Sequence, residues 1–453
     1  MFIIFSFTFI LWKCKDKDCS TKEGSFIVPL RYSSESLLNL TIPVVMTNAN
    51  SKGIPIVFLG PGNGVGNMLK DFNFANTSFP VNPLFFIGYR GVDSDIVPQD
   101  GKIKSLISIE SNTVKDSLLS KIINSVINSE NFHLSDFGLT QRSKDIIKFI
   151  KDENIEFFHI ISVGEDGSRI GHFLSSQIPQ NVVRSVFINP SVPIPHNDTT
   201  VRLLAIYRRI CRKDPTCPYP QIKWLPTTFP KNIFNVFTVN PERIRFNLEQ
   251  QLRNPSTAPN AFEALQSITD GSKFGYLSLS SLTGPEMLDL KWSDILLHSC
   301  TVPRDSSLYF LPSIEKLCEN LTVKEELPGK IESPLLIISG ELDLPRPKTT
   351  IEYYKNNSLM PSLVDQIYLE KASSRFEMLR PDVLKAILSF LNEGKTEFQL
   401  NEPEKIVWKN TIGMTSILKW GMGIGFVFSL GSVAIVYYLS KKGEKGDRKK
   451  KND

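Results

Sequence analysis

Apolar residues in this chain gather in short runs that alternate with stretches of helical period. The runs at 54–59, 84–89, 157–163, 183–188 and 335–339 are of strand length and carry few polar side chains. A strand that is apolar at successive positions is buried on both faces, as in a parallel sheet covered by helices. Residues 26–30 and 38–46 read as an opening hairpin, 367–369 as a further strand, and 143–151 and 382–391 as helices. This rhythm predicts an α/β fold with a mostly parallel central sheet and helices on both faces. From about 192 to 329 it gives way to Pro-rich, aromatic and helical stretches, which predict an inserted lid.

Two apolar segments at the ends set the expected topology. The first twelve residues match the core of a signal peptide and are too short to span a bilayer; a buried first strand is the other reading of the same residues. Residues 420–440 carry no charge over 21 positions, about 31 Å as a helix, enough to cross the hydrocarbon core. Seven basic and three acidic residues follow, so the positive-inside rule places the tail in the cytoplasm and predicts a single-pass type I membrane protein. Lys450 and Lys451 near the end resemble a dilysine retrieval signal, giving the endoplasmic reticulum or the cell surface as the expected location. The expected parts are a signal or signal-like segment at 1–18, the core at 19–191 and 330–392, the lid at 192–329, a polar juxtamembrane linker at 393–419, the span at 420–440 and the basic tail at 441–453.

Composition narrows the class further. With 453 residues, 41% of them hydrophobic, the chain has enough apolar material for a large folded core. The tail accounts for four of the five net positive charges (seven minus three), so the remainder is nearly neutral and a nucleic-acid partner is not expected. All six cysteines precede the span, and none has zinc-finger spacing, so disulfides are expected, with Cys211, Cys217, Cys300 and Cys318 in the insert. Five glycosylation sequons, at Asn39, Asn76, Asn197, Asn320 and Asn356, lie on the same side. No metal or cofactor is expected: the histidines are scattered, and the glycines of GPGNGVG are not followed by the Lys-Ser or Lys-Thr of a phosphate loop.

The most informative chemistry lies at 160–171, IISVGEDGSRIG. A strand, a tight glycine turn and a helix in succession form the setting of a nucleophile elbow. With Gly167 two places after the nucleophile, the nucleophile position falls on Glu165; a register one residue later offers Asp166, and Ser168 is expected to begin or cap the helix.

Several segments in order carry a family resemblance. SFIVPLRY, IPIVFLGPGNGVG, LFFIGYRGVDSD, the elbow and SPLLIISGELDLPRP resemble the prolyl-iminopeptidase-like and tripeptidyl-aminopeptidase-like serine peptidases of the α/β-hydrolase superfamily, over residues 19 to about 390. The resemblance implies an oxyanion turn at Gly60, Pro61 and Gly62, a triad acid at Asp343, and a cysteine pair in the lid at Cys211 and Cys217. It also implies a loop histidine where LEKASSRFEML carries Ser373, Ser374 and Arg375, with Ser374 marking the missing base. No histidine follows His298, and the LGPG turn is two residues shorter than the family's run. Serine accepts no proton near neutral pH and arginine stays protonated, so neither replaces the base. The function expected is a membrane-anchored, catalytically inactive relative of these peptidases that binds a peptide or protein; the alternatives are an active peptidase or esterase with a rearranged site, and a structural surface glycoprotein. The oligomeric state is left open.

Overall fold

The structure is a computed structural model that describes residues 10–32, 38–60, 64–72, 75–95, 134–190, 192, 199–219, 230, 232–233, 237–238, 241–281, 326, 328–343, 346–374, 380–396, 398, 406 and 408. One sheet organises the molecule. Its strands are β1 (Lys13–Cys14), β2 (Lys22–Pro29), β3 (Asn39–Thr47), β4 (Ile56–Leu59), β5 (Leu84–Ile87), β6 (Phe158–Val163), β7 (Val182–Ile188), β10 (Leu335–Gly340) and β11 (Val364–Leu369), in the spatial order β1-β2-β3-β5-β4-β6-β7-β10-β11. β8 (Asn232–Ile233) and β9 (Phe237–Thr238) make a separate antiparallel pair.

The first three strands run antiparallel to their neighbours, and the six from β5 to β11 are parallel. Every residue of β4, β5, β6 and β10 is buried, so both faces of the parallel part are covered, as the mostly apolar runs predicted. The helices are α1 (Val65–Asp71), α2 (Ala75–Ser78), α3 (Leu139–Asp152), α4 (Gly164–Gln177), α5 (Thr199–Lys213), α6 (Pro241–Arg253), α7 (Ala258–Thr269), α8 (Phe274–Ser281), α9 (Pro347–Asn356) and α10 (Pro381–Glu393). α10 shows how locally the ends are written: Pro381 opens it, Gly394 closes it at φ 74°, and Val383, Ala386, Ile387, Phe390 and Leu391 form its buried stripe.

Chain order reverses at β4, whose path leads to β5 on one side while β6 pairs on the other. Such a switch opens a crevice beyond the carboxyl ends of the strands, and the elbow lies there. The register beneath it is held by a buried ion pair. Arg90, just past β5, directs Nε and Nη2 to the two carboxylate oxygens of Asp145 on α3, at 2.7 and 2.5 Å. Its remaining donors reach the carbonyls of Leu30, Asp136 and Pro29, and the Tyr32 hydroxyl donates to Asp145 at 2.9 Å.

A second apolar core lies within the helical layer, where Leu203, Leu204, Tyr207, Leu248, Leu252, Phe262 and Leu265 of α5, α6 and α7 pack together. Leu342, just past β10, inserts into it, and so do Ile406 and Trp408. The expected polar linker is therefore docked on the fold at these two residues. At the other terminus, Ile10 is buried, the Trp12 indole donates to Glu153 at 2.9 Å, and β1 pairs with β2, so residues 10–18 of the expected leader take part in the fold. Disulfides join Cys14 to Cys19 and Cys211 to Cys217; Cys300 and Cys318 lie outside the described residues. Among the described residues no helix is long and apolar enough to cross a membrane, and 420–440 and the basic tail lie outside them.

Candidate active site

Among the described residues, those expected to carry chemistry stand at the carboxyl ends of parallel strands: Gly60 after β4, Glu165 after β6, Asp343 after β10, and Ser374 after β11. β6 and β10 are two strand spacings apart, roughly 10 Å.

At the elbow the strand turns into the helix at Gly164, whose φ is +73°. In a working elbow the nucleophile occupies this strained turn; here the turn residue has no side chain. Glu165 follows as the second residue of α4. Gly167 lets α4 sit directly on β4, since a Cβ there would meet the Leu59 carbonyl oxygen at 2.3 Å. Asp166 faces Arg142, whose Nη1 is 3.9 Å from its carboxylate and whose guanidinium lies over the Tyr89 ring at 5.3 Å. Ser168 is not a cap: it is the fifth residue of α4, past its first turn, and is fully buried. No register of the motif presents a serine to the crevice.

The described part of the oxyanion turn is engaged from within. The Gly60 amide donates to the Met68 thioether at 3.3 Å, and its carbonyl accepts from the Tyr89 hydroxyl at 3.0 Å. Its amide hydrogen therefore points into the core. Pro61 and Gly62 lie outside the described residues.

Asp343 is 1% exposed, and its carboxylate is ringed by donors from its own turn and from Ser373 and Ser374. Oδ1 accepts from Ser373 Oγ at 2.8 Å and the Ser374 amide at 3.0 Å, and Oδ2 from Ser374 Oγ and the Gly340 amide, each at 2.5 Å. Burial pushes this carboxyl up, opposed by the Gly340 amide, the two serine hydroxyls and the charge of Arg253 on α6. Arg202 of α5 donates to the carbonyls of Glu341 and Asp343, fastening the helical layer over this strand end. Where the resemblance implied a histidine oriented by the acid, two serines complete the acid's hydrogen bonding.

The described histidines serve elsewhere. His159 stands near the amino end of β6 opposite Arg184, and His172 on α4 holds the Gly329 carbonyl at 2.9 Å beside Tyr353 and Tyr354. Burial lowers both to about 4, with the Arg184 charge adding to it for His159. Their unfolded pKa is near 6.5, so below that pH the unfolded chain binds protons that the fold refuses. Stability is thus full above pH 6.5 and falls toward pH 4 by on the order of 3 kcal/mol per histidine. Thermal unfolding between pH 7 and 5 checks this; His172→Phe should flatten the slope by about half, and an unchanged slope would contradict it. His133, His196 and His298 lie outside the described residues, and among the described residues no cluster of three His, Cys, Asp or Glu could hold a metal ion.

Sequence reasoning pointed to Asp343 and Ser374 but missed Met68 as the partner of Gly60, and Arg202 and Arg253 beside the acid. Those contacts join segments far apart in the chain, and no local pattern announces them.

The strands β2-β3-β5-β4-β6-β7-β10-β11, with β3 antiparallel to its neighbours, an elbow after the central strand and an acid after the next-to-last, decide the architecture. It is the α/β-hydrolase fold. No protein-family model matches the chain, and no curated protein matches it. Solved structures similar to it include a proline iminopeptidase of Mycobacterium smegmatis (13% identity, 81% of this chain and 97% of that one, TM-score 0.37). A serine hydrolase of Cycloclasticus zankles (10%, 82% and 98%, 0.42) and a putative acyltransferase of Salmonella enterica (15%, 82% and 95%, 0.39) are similar on the same scale. The α/β-hydrolase assignment rests on the strand order and not on these scores.

Proposed function

We propose that this chain is a membrane-anchored α/β-hydrolase-fold protein without hydrolytic turnover, acting in the secretory pathway as a binding module for a peptide or protein, with the helical layer as its lid. The observation that carries this reading is the acid: all four hydrogen bonds to the Asp343 carboxylate come from Gly340, Ser373 and Ser374, and no histidine stands beside it among the described residues. Acyl transfer needs nucleophile, base and oriented acid together. Here the turn residue is Gly164, the base position is serine, and the Gly60 amide is engaged by Met68.

Residues 420–440 are the anchor in this reading, with the fold on the lumenal side and the basic tail in the cytoplasm. Three of the five sequon asparagines, Asn39, Asn76 and Asn356, are exposed, as glycosylation requires. Ile10 and Trp12 pack into the fold, so in this reading the apolar start acts as an uncleaved signal-like segment.

A fluorophosphonate probe tests catalytic silence. The purified protein should remain unlabelled, and Glu165→Ser alone should not bring labelling or peptidase turnover. Stoichiometric labelling of one serine, abolished by its change to alanine, would overturn the reading.

A further inference from the structure

The chain leading toward residues 420–440 is held by the helical layer, not by the sheet. Trp408 is 7% exposed, its indole donates to Asp214 Oδ2 at 3.0 Å, and its ring stands edge-on to Phe262 with centroids 5.6 Å apart. Asp214 belongs to the short loop closed by the Cys211–Cys217 disulfide, so its position is covalently braced. Immediately before it, α5 ends in Arg212 and Lys213, both exposed. Between 208 and 219 stand four cations, Arg208, Arg209, Arg212 and Lys213, against the single acid Asp214, which Trp408 and Thr216 already engage. Arg209 pairs with Glu341, which leaves the outward charge at the helix end.

Twelve chain steps, with eleven residues between, lead from Trp408 to residue 420. They reach at most about 43 Å fully extended, and about 20 Å as a flexible coil. The opposite end of the sheet carries the exposed apolar residues Ile54, Val81 and Phe157, before β4, β5 and β6, and no chain leads from there to the apolar segment. The basic end of α5 is thus beside the point from which the chain leaves for the span.

We propose that the disulfide-braced end of α5, through Arg212 and Lys213, rests against the lipid phosphates of the bilayer crossed by residues 420–440, with the Trp408–Asp214 bond turning this face to the membrane. Guanidinium and ammonium groups donate to phosphate oxygens, and the attraction acts only within about a Debye length of the surface, roughly 8 Å. This rests on the anchoring reading above.

Photocrosslinking in vesicles of phosphatidylcholine with phosphatidylserine tests it. The full chain carries benzoylphenylalanine in place of Pro215, at the exposed tip of the braced loop, or in place of Val81 at the far end of the sheet. Lipid adduct is expected at 215 and not at 81. Arg212→Glu with Lys213→Glu should cut it roughly tenfold or more, and Trp408→Ala should lower it while the chain still resists carbonate extraction. Release of the chain by carbonate overturns the anchoring reading and this one with it. A carbonate-resistant chain that gives equal adduct at 215 and 81, or adduct to a second copy of the chain in place of lipid, overturns this inference alone.

Discussion

Arg90→Met is expected to cost about 3–5 kcal/mol of folding stability, the loss typical when one member of a buried ion pair is removed. The guanidinium is fully buried and all of its donors are engaged, two of them by Asp145. Methionine fills much of the volume but leaves a buried carboxylate with Tyr32 as its remaining close donor, and three carbonyls without theirs. Burial already pushes the Asp145 carboxyl up against the pull of Arg90, and without that charge it rises further. A folded-state pKa above the unfolded value makes the deficit largest near neutral pH and smaller as pH falls through it. Denaturant unfolding at pH 7 and pH 5 reads both effects. A loss below about 1 kcal/mol at pH 7 would show that this pair is not what fixes the register of β5 against α3.

The second large effect is expected at Asp343. Ser373→Ala with Ser374→Ala removes both hydroxyl donors from Asp343 and leaves two backbone amides. Each lost hydrogen bond to a buried charge costs about 1.5–3 kcal/mol, so the pair should lose about 3–6 kcal/mol at neutral pH. Asp343 is raised by burial even with its donors, so their removal raises it further, and the deficit shrinks on acidification. Thermal unfolding at pH 7 and 5 measures it, and Asp343→Asn should tolerate the same serine changes better. A double variant as stable as the parent would mean that the serines do not hold the acid.

Much of the fold was legible because its signals are local. Consecutive apolar residues at 56–59, 84–87 and 335–338 point to strands covered on both faces, and the Pro381 start and Gly394 stop bracket α10 within a residue or two of the expected helix. β1 was less legible: the apolar character of 1–12 suits an export leader as well as a first strand, and the pairing of Lys13 with Glu23 that decides for 13–14 is made across a chain reversal. Gly164 shows the same limit at the site. The glycines at 164, 167 and 171 offer more than one register for an elbow, and only the backbone shows which of them makes the turn. The pairing of Ser373 and Ser374 with Asp343 joins residues about thirty positions apart, where sequence showed the absence of histidine but not what the serines do.

β1 has a consequence for how the protein behaves in solution. It is a two-residue strand, tied back by the Cys14–Cys19 disulfide, and it lies along the outer side of β2. It pairs with Lys22 and Glu23, so it covers the start of the eight-residue β2, where outward amides and carbonyls would otherwise be open to a passing strand. A short, lysine-bearing guard held by one covalent bond thus makes colloidal behaviour depend on redox conditions. Under reducing agents this corner of the sheet is expected to open, and light scattering with and without reductant would read the self-association that follows.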